Sequence, residues 1–207
     1  MYMNMTRLRM TTLALAALFM MAACSGNKQS AEQMSEEHGD HDEAKAAAEI
    51  KPFENVDANV KTQLNGFLSD YYALNQSLIN DNYDEAKTAA TKLSETVAKF
   101  DMSKIPMGEQ MEFYHMQQAV INSALKNIGQ SADIEEARNE IAPLSEALYA
   151  LVKAYQPQES ELYYQFCPMA RNGEGANWLS STKEISNPYM GQRMPKCGRT
   201  QEVIAKN

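Results

Sequence analysis

The sequence predicts a mainly all-α fold, a bundle of about four helices carrying a small irregular or β C-terminal cap. Two observations predict it. Between about residues 55 and 155 apolar side chains recur at steps of three and four, the period that places them on one face of a helix. After residue 160 that period gives way to short β-prone pieces separated by Gly- and Pro-containing turns, too few to build a core of their own.

The first expected helix runs through Val60, Leu64, Phe67, Leu68, Tyr71, Leu74 and Leu78 and stops at Asn80-Asp81-Asn82. Asn82 and Glu85 have the spacing of a capping box and open a second helix with Ala86, Ala89, Leu93, Val97 and Phe100 on its apolar line. A turn follows around Ile105-Pro106-Met107-Gly108. The third helix carries Met111, Tyr114, Gln118, Ile121, Leu125 and Ile128, with Gly129 in a position suited to a C-terminal cap. Asp133 and Glu136 cap the fourth, which continues along Ile134, Ala137, Ile141, Leu144, Leu148, Leu151 and Tyr155. Pro143 is expected to kink it, because proline removes an amide donor and crowds the preceding turn. About a hundred residues in four such helices suffice for one core. The β-prone pieces, 162–166 and 178–180, are expected to lie over that core with Trp178, the single tryptophan, as their buried anchor.

The amino terminus has a different character. Arg7 and Arg9 precede an apolar run over residues 10–23 that is too short for a committed membrane span, and Ala22-Ala23 stand before Cys24. Residues 1–23 read as a lipoprotein signal, and Met-Ala-Ala-Cys resembles a lipobox, which implies acylation of Cys24. A lipid on Cys24 would hold the chain at a membrane without spanning it. Ser25 after that cysteine favours, by analogy with lipoprotein sorting, the outer membrane facing the periplasm. Residues 24–52 are polar, acidic and alanine-rich and read as a flexible tether; its His38-Gly39-Asp40-His41-Asp42 run suits weak Zn(II) or Cu(II) binding or simple solvation. The domain proper is then 53–207.

The formal charge of the chain is −8, and loss of Arg7 and Arg9 makes the mature part more acidic. An acidic surface excludes nucleic acid and anionic lipid as partners. Six of the fourteen methionines lie in the signal, so overall methionine content argues nothing about metal. Local placement does. Cys167-Pro168-Met169 and Met194-Pro195-Lys196-Cys197, with Met190 nearby, concentrate thiol and thioether donors, which favour Cu(I) or Ag(I) over hard cations. His115, flanked by Met111 and Met116, is the one histidine outside the tether and a further candidate ligand. The same two cysteines could instead form a disulfide, since they are the two that remain once Cys24 is acylated and the periplasm permits their oxidation. Both alternatives stay open. Signals of catalysis are poor: there is no Gly-x-Ser-x-Gly elbow and no phosphate-cradling glycine loop, so the expectation is a binding protein and not an enzyme. Nothing in the sequence specifies the oligomeric state.

Residues 163–204, with Cys-Pro-Met-Ala, Gly175-Ala176-Asn177-Trp178-Leu179-Ser180, Glu184-Ile185-Ser186-Asn187-Pro188-Tyr189 and Lys196-Cys197-Gly198, resemble the signature of an uncharacterised bacterial envelope family. That family occurs as lipoproteins and as a C-terminal extension of periplasmic adaptors of copper/silver efflux pumps, and with the helices upstream the resemblance spans roughly 55–207. It implies an efflux adaptor as a partner. A looser similarity links Cys-Pro-Met and Lys-Cys-Gly to small heavy-metal-binding modules. Those modules carry His and Met where this chain has Ala170 and Arg199, so two of their ligands are absent here.

Overall fold

The computed structural model describes residues 49–206. The signal, Cys24 and the tether as far as residue 48, including His38 and His41, lie outside the described residues.

Four helices form the bundle: α1 (Ala58–Ile79), α2 (Tyr83–Ala98), α3 (Glu109–Gln130) and α4 (Ile134–Tyr155). Their starts follow the polar residues the sequence offers. Asp57 accepts the amide of Asn59 at 2.7 Å, Asn82 accepts that of Glu85 at 3.2 Å, and Asp133 accepts those of Glu135 and Glu136 at 2.9 Å. Glu136 reaches back to accept the amide of Ala132, the residue before the cap, at 2.7 Å, one position earlier than in a capping box. Two details differ from expectation. The α3 helix runs past Gly129 to Gln130 and ends at Ser131, whose hydroxyl bonds the Ile128 carbonyl at 2.6 Å, so a serine closes the helix where a glycine was expected. On α2 Ala90 is buried and Ala89 only half-buried. The α4 helix continues through Pro143.

The core is one cluster that includes Phe67, Tyr71, Leu78, Leu93, Tyr114, Ile141 and Leu148. Phe53 joins it, packing against Tyr155 with ring centroids 5.1 Å apart while its amide bonds the Ala154 carbonyl at 2.8 Å. Ile50, placed in the tether by sequence, also packs against this core. Among the described residues no helix is long and apolar enough to cross a membrane.

The cap is more regular than expected. It is a three-stranded antiparallel sheet in the order β2-β1-β3, formed by β1 (Leu162–Cys167), β2 (Ala176–Ser180) and β3 (Arg199–Ile204). Tyr164 pairs with Leu179 on one side and with Glu202 on the other, and an irregularity follows between Tyr164 and Gln165. The third strand was not foreseen, because Arg-Thr-Gln-Glu-Val-Ile has little apolar alternation; it lies at the sheet edge with Val203 exposed. β2 packs on α4. Tyr71 ties the layers together: its hydroxyl lies 2.6 Å from that of Ser145 on α4 and accepts the Leu179 amide of β2 at 3.2 Å. Trp178 is 1% exposed and packs edge-on against Tyr189 at 6.0 Å, as its anchoring role requires.

Candidate metal centre

Cys167 is the last residue of β1, the central strand of the cap, and is fully buried. Cys197 ends the loop 187–197 and is half-buried. Because Phe166 is opposite Arg199 across the β1–β3 ladder, the chain approaching β3 passes directly beside the end of β1. The two thiols meet there. Their sulfurs are 3.0 Å apart, one donating to the other, and both are free. That shared hydrogen bond, with burial, pushes the Cys197 thiol up to about 11, since both favour the protonated form.

The loop that carries Cys197 is organised by Asn187, which is fully buried. Its side-chain amide donates to the Cys197 carbonyl at 2.7 Å, and its side-chain oxygen accepts the amides of Tyr189 at 2.9 Å and Met190 at 3.1 Å. Its backbone amide donates to the Pro195 carbonyl at 3.0 Å. One side chain therefore closes both ends of the loop. The sequence marks Asn187-Pro188 only as a turn; that Asn187 is buried and holds the loop is visible only in the structure.

The loop is also clamped to the bundle. Arg138 of α4, 4% exposed, donates to the Pro188 carbonyl at 3.0 Å, to the Leu78 carbonyl at 2.7 Å, to Glu135 at 2.7 Å and to Asp81. Gly191 lies against this cluster at φ +52°, where a Cβ would collide with the Asp81 carboxylate and the Arg138 guanidinium. At Gly198, φ +138°, a Cβ would stand 2.7 Å from the Phe166 carbonyl oxygen and 2.9 Å from the Trp178 ring. Both positions demand glycine for space and for backbone conformation, and the second lets the residue after Cys197 press against β1.

The remaining sequence candidates divide. Met194 is linked to Cys197 by a tight turn in which the Cys197 amide donates to the Met194 carbonyl at 3.1 Å; its side chain is exposed. Met169, also exposed, and half-buried Met190 line a recess of about 190 Å³ together with Tyr189, Arg138, Arg171 and Arg193. His115 is exposed on α3 and is not gathered with Cys167 and Cys197, since among the described residues no three His, Cys, Asp or Glu side chains form a group that could hold a metal ion. The structure thus brings together the two thiols, with Met169 two residues beyond one and Met194 three residues before the other along the chain. The donor chemistry fits a monovalent soft ion. The spacing fits after a small movement: sulfurs bound to a common ion at about 2.3 Å each lie roughly 4 Å or more apart, so the pair must open by about 1 Å.

Residues 67–160 match the family described as Protein of unknown function (DUF3347), and neither a curated protein nor a solved structure matches the chain. The matched span begins at Phe67 within α1, takes in α2, α3 and α4, and ends just before β1. The helical bundle is therefore the part of the chain similar to that family, and the thiol pair lies outside the matched span.

Proposed function

We propose that this chain is a non-enzymatic binding module of the cell envelope that takes up Cu(I) or Ag(I) through Cys167 and Cys197, with thioether help from Met194 and Met169. The observation that carries the reading is the contact of the two thiols at 3.0 Å at the end of β1, with Met194 on the turn that leads into Cys197. Two thiolates neutralise a monovalent ion with one negative charge to spare, and polarizable sulfur selects it over Mg(II) and Ca(II). Sequestration, or transfer to a heavy-metal efflux adaptor, is the role such a site would serve.

Cu(I) titration of the reduced protein against a competing chelator tests this. Replacing both Cys167 and Cys197 by Ser should weaken binding by at least about a thousandfold, or roughly 4 kcal/mol. Met169→Leu with Met194→Leu keeps volume and apolarity and should weaken it by about tenfold. Binding must displace protons from the thiols, and burial with the shared hydrogen bond raises that of Cys197, so affinity should rise with pH across the range from about 6 to 9, by at least about tenfold per unit. Affinity that ignores pH and the cysteines would refute the reading.

A second reading is favoured by the same contact. At 3.0 Å the sulfurs are about as far from a disulfide, about 2.05 Å, as from two ligands of one ion. The chain would then be a disulfide-stabilised interaction module without metal. Protein isolated directly from the periplasm with no titratable thiol, and no metal uptake after gentle reduction, would decide for it.

The envelope location rests on the sequence around Cys24. Cys24→Ala should move the protein from the membrane fraction to the soluble fraction with its melting temperature unchanged. A variant that still pellets with membranes would exclude acylation as the anchor.

A further inference from the structure

Cys167 and Cys197 differ in access although their sulfurs touch. Cys167 is fully buried at the end of the central strand, whereas Cys197 is half-buried at the end of a loop whose other anchors are Asn187 and the Arg138 cluster. The 3.0 Å separation lies between two bonded states. A disulfide needs the sulfurs about 1 Å closer, and a shared soft ion needs them about 1 Å farther apart. Opposite small movements of one loop end therefore lead to two products that exclude each other.

We propose that the thiol pair is a redox interlock on the metal site: a disulfide-bearing oxidant closes Cys167 and Cys197 into a disulfide that no longer accepts soft metal, with Cys197 as the attacking sulfur and Cys167 as the buried sulfur that completes the bond. The inference rests on the metal reading above. In the first step the Cys197 thiolate attacks one sulfur of the oxidant, forming a mixed disulfide and expelling the oxidant's other sulfur as a thiolate. In the second, Cys167 gives up its proton and attacks Cys197 Sγ, expelling the oxidant's remaining thiolate. The pair loses two electrons, the oxidant's disulfide gains them, and the two protons from the cysteines end on the oxidant's thiols. The order follows from access: an oxidant cannot approach Cys167 in line, but Cys197 Sγ is already in contact with it.

An ion that reaches the pair first removes the attacking thiolate altogether. Metal and disulfide compete for the same two sulfurs, so at equilibrium bound metal disfavours oxidation as oxidation disfavours metal binding.

The test uses the full chain carrying Cys24→Ala, so that two cysteines remain, with Ag(I) as the metal and glutathione disulfide as the oxidant. Oxidation should remove both titratable thiols without leaving glutathione attached. Ag(I) affinity by equilibrium dialysis should then fall at least about a hundredfold and return on reduction. Saturating Ag(I) beforehand should slow thiol loss at least about tenfold. In this background Cys167→Ser should trap a glutathione adduct on Cys197, and Cys197→Ser should form an adduct at least about tenfold more slowly. Oxidised protein that binds Ag(I) unchanged, or adducts that form equally fast on either cysteine, overturns the interlock while leaving the metal reading intact. Reduced protein that fails to bind Ag(I) overturns both.

Discussion

Replacing Arg138 by Ala is expected to lower stability by about 2–4 kcal/mol, seen as a drop in melting temperature of roughly 5 °C or more. Arg138 is almost wholly buried and holds four separate groups, the carbonyls of Leu78 and Pro188 and the carboxylates of Asp81 and Glu135. Removing the guanidinium leaves the Pro188 carbonyl without its donor, takes one of two donors from the Leu78 carbonyl, which keeps the Asp81 amide at 3.2 Å, and deprives the part-exposed Asp81 carboxylate of its cation. A buried group stripped of its partner still bears its desolvation cost, with no hydrogen bond to offset it. Arg193 cannot compensate, because it engages Glu135 from the exposed side at 3.0 Å. Arg138→Lys should recover little, since an ammonium cannot present the planar fork that reaches several acceptors at once. Thermal melts of the three proteins decide the matter. A melting temperature of Arg138→Ala within about 2 °C of the parent would show that the clamp carries no stability.

Asn187→Ala is expected to cost about 2–4 kcal/mol and to weaken Ag(I) binding by at least about tenfold. The substitution frees three backbone groups at once: the Cys197 carbonyl and the amides of Tyr189 and Met190. Each buried group left unpaired costs about 1–3 kcal/mol, partly recovered where the loosened loop admits water. Affinity falls because the loop end bearing Cys197 is no longer held beside Cys167, and the ordering it supplied must come from binding. Asn187→Asp separates these contributions. It retains an acceptor for the two amides but cannot donate to the Cys197 carbonyl, so its stability should lie between parent and Ala. Leu93→Ala on α2, buried far along the chain from the loop, supplies a control of comparable destabilisation that should leave Ag(I) affinity unchanged. If Asn187→Ala and Leu93→Ala affect affinity equally, Asn187 has no positioning role.

The four helices were legible because each carries its own evidence. The apolar line through Val60, Leu64, Phe67 and Tyr71 has one period, and Asn82 and Asp133 announce the helices they cap; such information is local, within one or two turns of chain. The third strand was illegible for the converse reason. Arg199–Ile204 has a weak pattern of its own and becomes a strand because β1 offers it an edge, a fact that depends on where the rest of the chain goes. Ile50 likewise reads as tether beside Ala46-Ala47-Ala48, yet it packs against the core.

The candidate site divides along the same line. The sequence by itself determined which residues bring soft sulfur, Cys167, Met169, Met194 and Cys197, because donor chemistry belongs to the side chain wherever it lies. It also determined the helical class, because a period of three to four is a property of the chain. Only the tertiary structure decided that the thiols of Cys167 and Cys197 meet, that Met169 turns to a recess with Met190, and that His115 stays apart on α3. It alone identified Arg138 and Asn187 as the side chains that hold the loop. Distance across thirty residues is set by strand register, by glycines that permit close approach and by buried hydrogen bonds, none of which is encoded in the spacing of the residues they bring together.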